Sequence, residues 1–82
     1  MLSSREARLI RGLRQRKIRE QEGLFLAEGV RVVEDLLASG LPLRLGVVSP
    51  TLEDTPRGAK LARDLEAACP VRRVPDRTLE EL

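Results

Sequence analysis

The sequence predicts an α/β fold: a mostly parallel sheet flanked by helices on both faces, in three layers. Three observations carry the prediction. Short apolar runs at residues 24–27, 43–49 and 71–74 alternate with segments of helical periodicity, the pattern of βαβ units. Helical segments open on Ser3, on Thr55-Pro56 and on Asp76, and close on Gly23, Gly40 and Pro70. The 82 residues are 41% hydrophobic with one Phe and no Trp or Tyr, which specifies a small core of Leu, Val, Ile and Ala. One domain covering residues 1–82 is expected, and a chain of this size buries only about 60% of its unfolded surface.

Ser3-Ser4-Arg5-Glu6 fits the S-x-x-E capping box, with Ser3 as N-cap, and opens a helix expected over residues 4–19. At about 100° per residue, Leu9, Ile10 and Leu13 fall on one side, and Arg5, Arg8, Arg11, Arg16 and Arg19 on the other. Lys17 lies near the edge of the apolar stripe, and Gly23 follows the helix end. Residues 24–27 form a continuous apolar run, read as a strand covered on both faces. A second helix spans residues 30–39, with Val33, Leu36 and Leu37 inward and Gly40 and Pro42 as its stop. Residues 43–49 read as a strand and residues 50–56 as a loop. Thr55 caps a third helix with Pro56 in its first turn, carrying Leu61, Leu65 and Ala68 inward until Pro70. Residues 71–74 read as an edge strand because Arg72 and Arg73 sit in it. Asp76 reads as the N-cap of a last helix, with Leu79 and Leu82 at i, i+3 spacing. So short a final helix cannot bury its stripe, so continuation beyond Leu82 in a longer parent is expected.

Charge divides the chain unevenly. Residues 1–20 hold seven Arg and Lys against Glu6 and Glu20, a net +5; residues 21–82 hold eight basic and eleven acidic residues, a net −3. The first fifth is thus a basic helix and the rest an α/β core, an asymmetry that points to a polyanion. Arg5, Arg8, Arg11, Arg16, Lys17 and Arg19 are the candidate phosphate contacts. With no aromatic platform and no base-reading group evident, they specify a polyanion without saying which.

Catalytic chemistry is hard to find. There is no His, one cysteine (Cys69), and no glycine-rich phosphate loop. A zinc site, a His-based triad and an internal disulfide are therefore excluded, and Cys69 reads as a small hydrophobe beside Leu65. Ser49 and Thr51 have no base to activate them. No apolar run approaches the roughly 20 residues that span a membrane, and no secretory leader is visible, so a cytoplasmic location is expected. The residues by themselves describe a binding module with no metal and no cofactor.

Glu28-Gly29 sits where the residue 24–27 strand hands over to a helix. The structural account is that the Glu28 carboxylate accepts bonds from the free N–H groups of the first helical turn, while Gly29 adopts a backbone angle that a Cβ would obstruct. The functional account is that Glu28 and Arg31 flank a substrate-facing crevice at the strand's carboxyl end.

Arg16-Lys17-Ile18-Arg19, then Gly23-Leu24-Phe25-Leu26-Ala27-Glu28-Gly29, then Val30-Arg31-Val32-Val33-Glu34-Asp35-Leu36-Leu37 with Gly40 resemble a known family. They look like the N-terminal substrate-binding domain of SpoU-family RNA 2′-O-ribose methyltransferases, a branch of the SPOUT superfamily. The family's pattern is a basic helix ending in K-x-R, a spacer, F-L-x-E-G, and an amphipathic helix closed by Gly. The likeness is most specific over residues 16–40 and weaker to the end; Ile18 departs from it where an aromatic is expected. It implies an α/β/α sandwich similar to ribosomal proteins that bind kinked RNA. It also implies that the domain presents ribosomal or transfer RNA to a knotted catalytic domain using S-adenosylmethionine. That domain is absent here, so no activity, no methyl-donor site and no knot-mediated dimer falls to these residues; the parent would be the enzyme. The alternative is a protein-interaction domain that does not bind RNA.

Overall fold

Helix starts and stops in this chain are written mostly in local bonds, and the strands join them through one crossover. The computed structural model describes residues 1–82. Helix α1 (Ser4–Gly12) starts on the expected capping box: the Ser3 hydroxyl accepts from the Glu6 amide at 3.0 Å, and Glu6 accepts from the Ser3 amide at 2.9 Å. The helix stops at Gly12 instead of running to residue 19. Gln15 is extended (φ −95°, ψ 131°), and α2 (Arg16–Glu22) begins after it. Glycine costs an isolated helix about 1 kcal/mol relative to alanine, and here its missing side chain has a use. A Cβ on Gly12 would lie 3.3 Å from Ile18 Cγ2, so the two helices meet closely at this point. Arg19 Nη1 then donates to the carbonyls of Leu13 (3.0 Å) and Arg14 (2.9 Å), satisfying groups the break leaves open.

Gly23 closes α2 in the left-handed region at φ 66°. Residues 24–28 do not join the sheet, so the strand expected there is not formed. Phe25 is 64% exposed, which no strand covered on both faces would allow. A short apolar run carries no periodicity, so it cannot by itself distinguish a central strand from a segment lying along the surface of the core.

The remaining elements are α3 (Val30–Ser39), β1 (Gly46–Val48), a 3-10 turn (Pro50–Asp54), α4 (Pro56–Ala68), β2 (Val71–Arg73) and α5 (Asp76–Glu81). Gly40 ends α3 at φ 76°, and Thr55 caps α4 by accepting from the Gly58 amide at 3.0 Å, as the sequence predicts. β1 and β2 pair in parallel through α4, with Gly46 opposite Val71 and Val48 opposite Arg73. The expected α/β class and parallel pairing are therefore present, in a sheet of two strands instead of three. A sheet this narrow does not by itself establish three full layers.

The core sits between α3, α4 and β1. Val48, Leu61 and Leu65 are its centre, with Val30, Val33, Leu37, Leu43, Leu52, Cys69 and Val71 packed around them. Gly58 and Ala62 are the small residues that α4 buries, while Ala68 faces solvent, contrary to expectation. Asp76 does not cap α5; Pro75 holds the N-cap position. The Asp76 carboxylate instead accepts from the Thr51 hydroxyl (2.5 Å) and amide (3.2 Å), tying α5 to the turn after β1.

Candidate nucleic-acid interface

The basic residues near the N-terminus begin on two helices, not one face. Arg5, Arg8 and Arg11 repeat every three residues along α1, all exposed, and none is paired with a carboxylate. Glu6, the one acid on α1, is turned away from them: it is held by Ser3 and by Arg72 of β2 at 3.2 Å. The Ser3 amide, with Arg72 beside it, keeps the Glu6 carboxyl below its ordinary value. The capping box thus leaves the α1 cations unneutralised.

On α2 the picture is mixed. Arg16 pairs with Glu20 at 2.9 Å across one exposed helical turn, Lys17 is exposed and unpaired, and Arg19 spends one nitrogen on the carbonyls at the α1–α2 break. Surface pairs of the Arg16–Glu20 kind are worth little and open readily to a better anion. Arg31, in the first turn of α3, is exposed and unpaired.

Glu28 does not cap α3 as the structural account expects. Helix α3 has no side-chain cap; its N-cap is Gly29 at φ 97°, ψ 148°, a conformation that does require glycine. The Glu28 carboxylate accepts instead from Arg14 Nη2 at 2.5 Å. That bond holds the Glu28 carboxyl below its ordinary value. Arg14 Nε also donates to the Leu82 carbonyl at 2.9 Å, so one guanidinium links the α1–α2 break, the entry to α3 and the C-terminal residue. Arg14 went unmarked in sequence because nothing distinguishes it from its basic neighbours; its partners lie 14 and 68 residues away.

Two concave surfaces differ in charge. One, of about 370 Å³, lies between α1 and α5 and includes Arg8, Arg11, Ser4 and Thr78 in its wall. The other, of about 510 Å³, follows the α3–α4 groove and presents Glu34 and Asp64 with Lys60. Lys60 is paired with Asp64 at 2.8 Å and Glu34 with Arg57 at 2.6 Å, so this groove offers an anion no unpaired cation. Glu28 and Arg31 line neither surface, so the crevice expected between them is not one of these two.

Of the remaining arginines, Arg44 and Arg63 are exposed and unpaired and the others are engaged. Arg57 forks onto Glu34 at 3.0 and 2.6 Å, and Arg73 bridges Glu53 and Glu66. Cys69 is half-buried at the end of α4, and burial pushes its thiol up, which disfavours the reactive thiolate. No helix is long and apolar enough to cross a membrane.

Residues 5–82 match the family model described as the MRM3-like substrate binding domain, a domain of SpoU-family rRNA methyltransferases. No curated protein and no solved structure matches the chain.

Proposed function

The chain belongs to the MRM3-like substrate-binding domain family of SpoU-type rRNA methyltransferases, and on that footing we propose that its substrate is RNA, held by the open cations of α1 with Lys17 and Arg31. The resemblance read from residues 16–40 and the family match agree on the domain. The observation that carries the RNA reading is the contrast in ion pairing. Arg5, Arg8 and Arg11 stand free of carboxylates in one row along α1, while Arg14, Arg57, Arg72, Arg73 and Arg77 are paired. The unpaired Arg44 and Arg63 lie on other parts of the chain, outside that row. An exposed row of unneutralised guanidinium groups releases counterions from a phosphate backbone, and that release drives binding.

The reading assigns methyl transfer to a separate SpoU-type catalytic domain. That domain would use S-adenosylmethionine with a ribose 2′-oxygen as acceptor, leaving these 82 residues to hold and orient the RNA. Titration of a structured ribosomal RNA at 50 and 200 mM salt tests it. Four or so phosphate contacts predict a fall in affinity of about 10²-fold between the two conditions. Binding that is absent, or indifferent to salt, defeats the proposal.

One observation favours a second reading, a protein-docking domain. Phe25, Leu41 and Val32 are 64%, 52% and 48% exposed, apolar side chains that a partner protein would cover. That reading requires binding unaffected by reversal of the α1 charges.

A further inference from the structure

We infer that the cleft between α1 and α5 is a ribonucleotide subsite that distinguishes RNA from DNA. The inference rests on the RNA reading above and narrows it to a place and a chemical group. At about 370 Å³ the cleft lies within the roughly 300–1,000 Å³ typical of small-ligand sites, near the lower end, where one nucleotide fits.

Its wall divides by chemistry. Arg8 and Arg11 stand at i, i+3 on α1, a spacing that puts their stems about 5–6 Å apart on one face. Both are exposed at the rim and neither belongs to an ion pair. They meet the phosphodiester. Leu2 and Ala7 give an apolar surface against which a sugar ring can lie. Ser4 of α1 and Thr78 of α5 add hydroxyls from two different elements. A hydroxyl both donates and accepts, as does the ribose 2′-OH, and that group is what separates RNA from DNA at a given site. Leu82 closes the cleft, with its carbonyl turned to Arg14 Nε at 2.9 Å.

The α3–α4 groove is larger but lined by Glu34 and Asp64, so it does not offer the same chemistry. Arg5 and Lys17 carry equal charge but lie outside the α1–α5 cleft. They would add affinity for either nucleic acid and no preference between them.

The test compares one stem-loop made as RNA and as DNA, bound by the 82-residue chain, by Thr78→Val and by Arg8→Gln. Valine is close to threonine in shape, so the fold is kept, and an unchanged melting temperature checks this. The chain is expected to prefer RNA by about 3- to 10-fold, the worth of one or two hydrogen bonds. Thr78→Val should erase that preference by weakening RNA binding alone. Arg8→Gln should weaken both and lower the salt slope by about one. If RNA binds in a salt-dependent way but Thr78→Val retains the full preference, or no preference exists, the subsite is wrong and the RNA reading stands. If the chain binds neither nucleic acid, both fall.

Discussion

Arg14 and Arg19 are drawn from the same basic run as Arg8 and Arg11, yet their guanidinium groups serve the fold. Arg19 bonds two carbonyls at the helix break, and Arg14 bonds Glu28 and Leu82. Carboxylates held this way make stability depend on acid. Hydrogen bonds lower Glu28 through Arg14, Glu34 through Arg57, and Asp76 through Ser49 and Thr51. A lowered carboxyl contributes fully above its ordinary value, 4.5 for Glu28, and loses that contribution as pH falls through the lower, folded value. Thermal melts from pH 7 to 2.5 should therefore be flat down to about pH 4.5 and then decline. Glu28→Gln should lower stability at pH 7 and shrink the acid-dependent part. A variant whose acid decline matches that of the parent chain would show that the Arg14–Glu28 bond does not couple to folding.

At the scale of elements, the closest fit is between the 3-10 turn and α4. A Cβ on Gly58 would stand 1.7 Å from the Leu52 carbonyl oxygen, a backbone atom with no freedom to rotate away. Gly58→Ala should cost about 3 kcal/mol, read as a lower urea midpoint with the slope unchanged, although alanine is the better helix former. A neutral or stabilising Gly58→Ala would mean that the turn does not pack as described. Elements of this kind show what sequence can and cannot reveal. The Ser3–Glu6 capping box, the Thr55 cap and the Gly40 stop use bonds spanning three or four residues, so their residues spell them out. The break at Gly12 depends on a contact with Ile18 in the next helix, and a lone glycine inside a helical pattern does not announce it. Asp76 has the residue type of an N-cap but finds its partner in Thr51, 25 residues back. The strand expected over residues 24–27 fails to form for the same reason: sheet membership is decided by strands elsewhere in the chain. The basic residues themselves were legible; which of them stay open to a ligand was not, because Glu28, Arg72 and Leu82 decide it from a distance.

The whole molecule joins a small, well-defined core to a basic arm that lies outside it. The central cluster of Val48, Leu61 and Leu65 contains no residue of α1 or α2, and α1 buries none of its own residues. Leu13, at the break, is the buried apolar anchor of the arm, with Glu6–Arg72 and Arg14–Glu28 beside it. Leu61, 4% exposed, lies at the centre, and Leu61→Ala should cost about 2–5 kcal/mol. For a domain of this size that is a large share of a total of roughly 4–12 kcal/mol, so the variant should be substantially unfolded at 37 °C by circular dichroism. A variant that stays fully folded would place the core elsewhere. Arg5, Arg8 and Arg11 of the arm are exposed, so substituting them should leave the fold intact and makes the binding claim testable. The most direct measurement is RNA affinity after Arg5, Arg8 and Arg11 are all changed to Glu, beside a control in which the unpaired Arg44 and Arg63 are reversed. The account predicts that the first variant loses binding while the control stays within about threefold of the parent chain. Equal losses in both, or none in either, would contradict it.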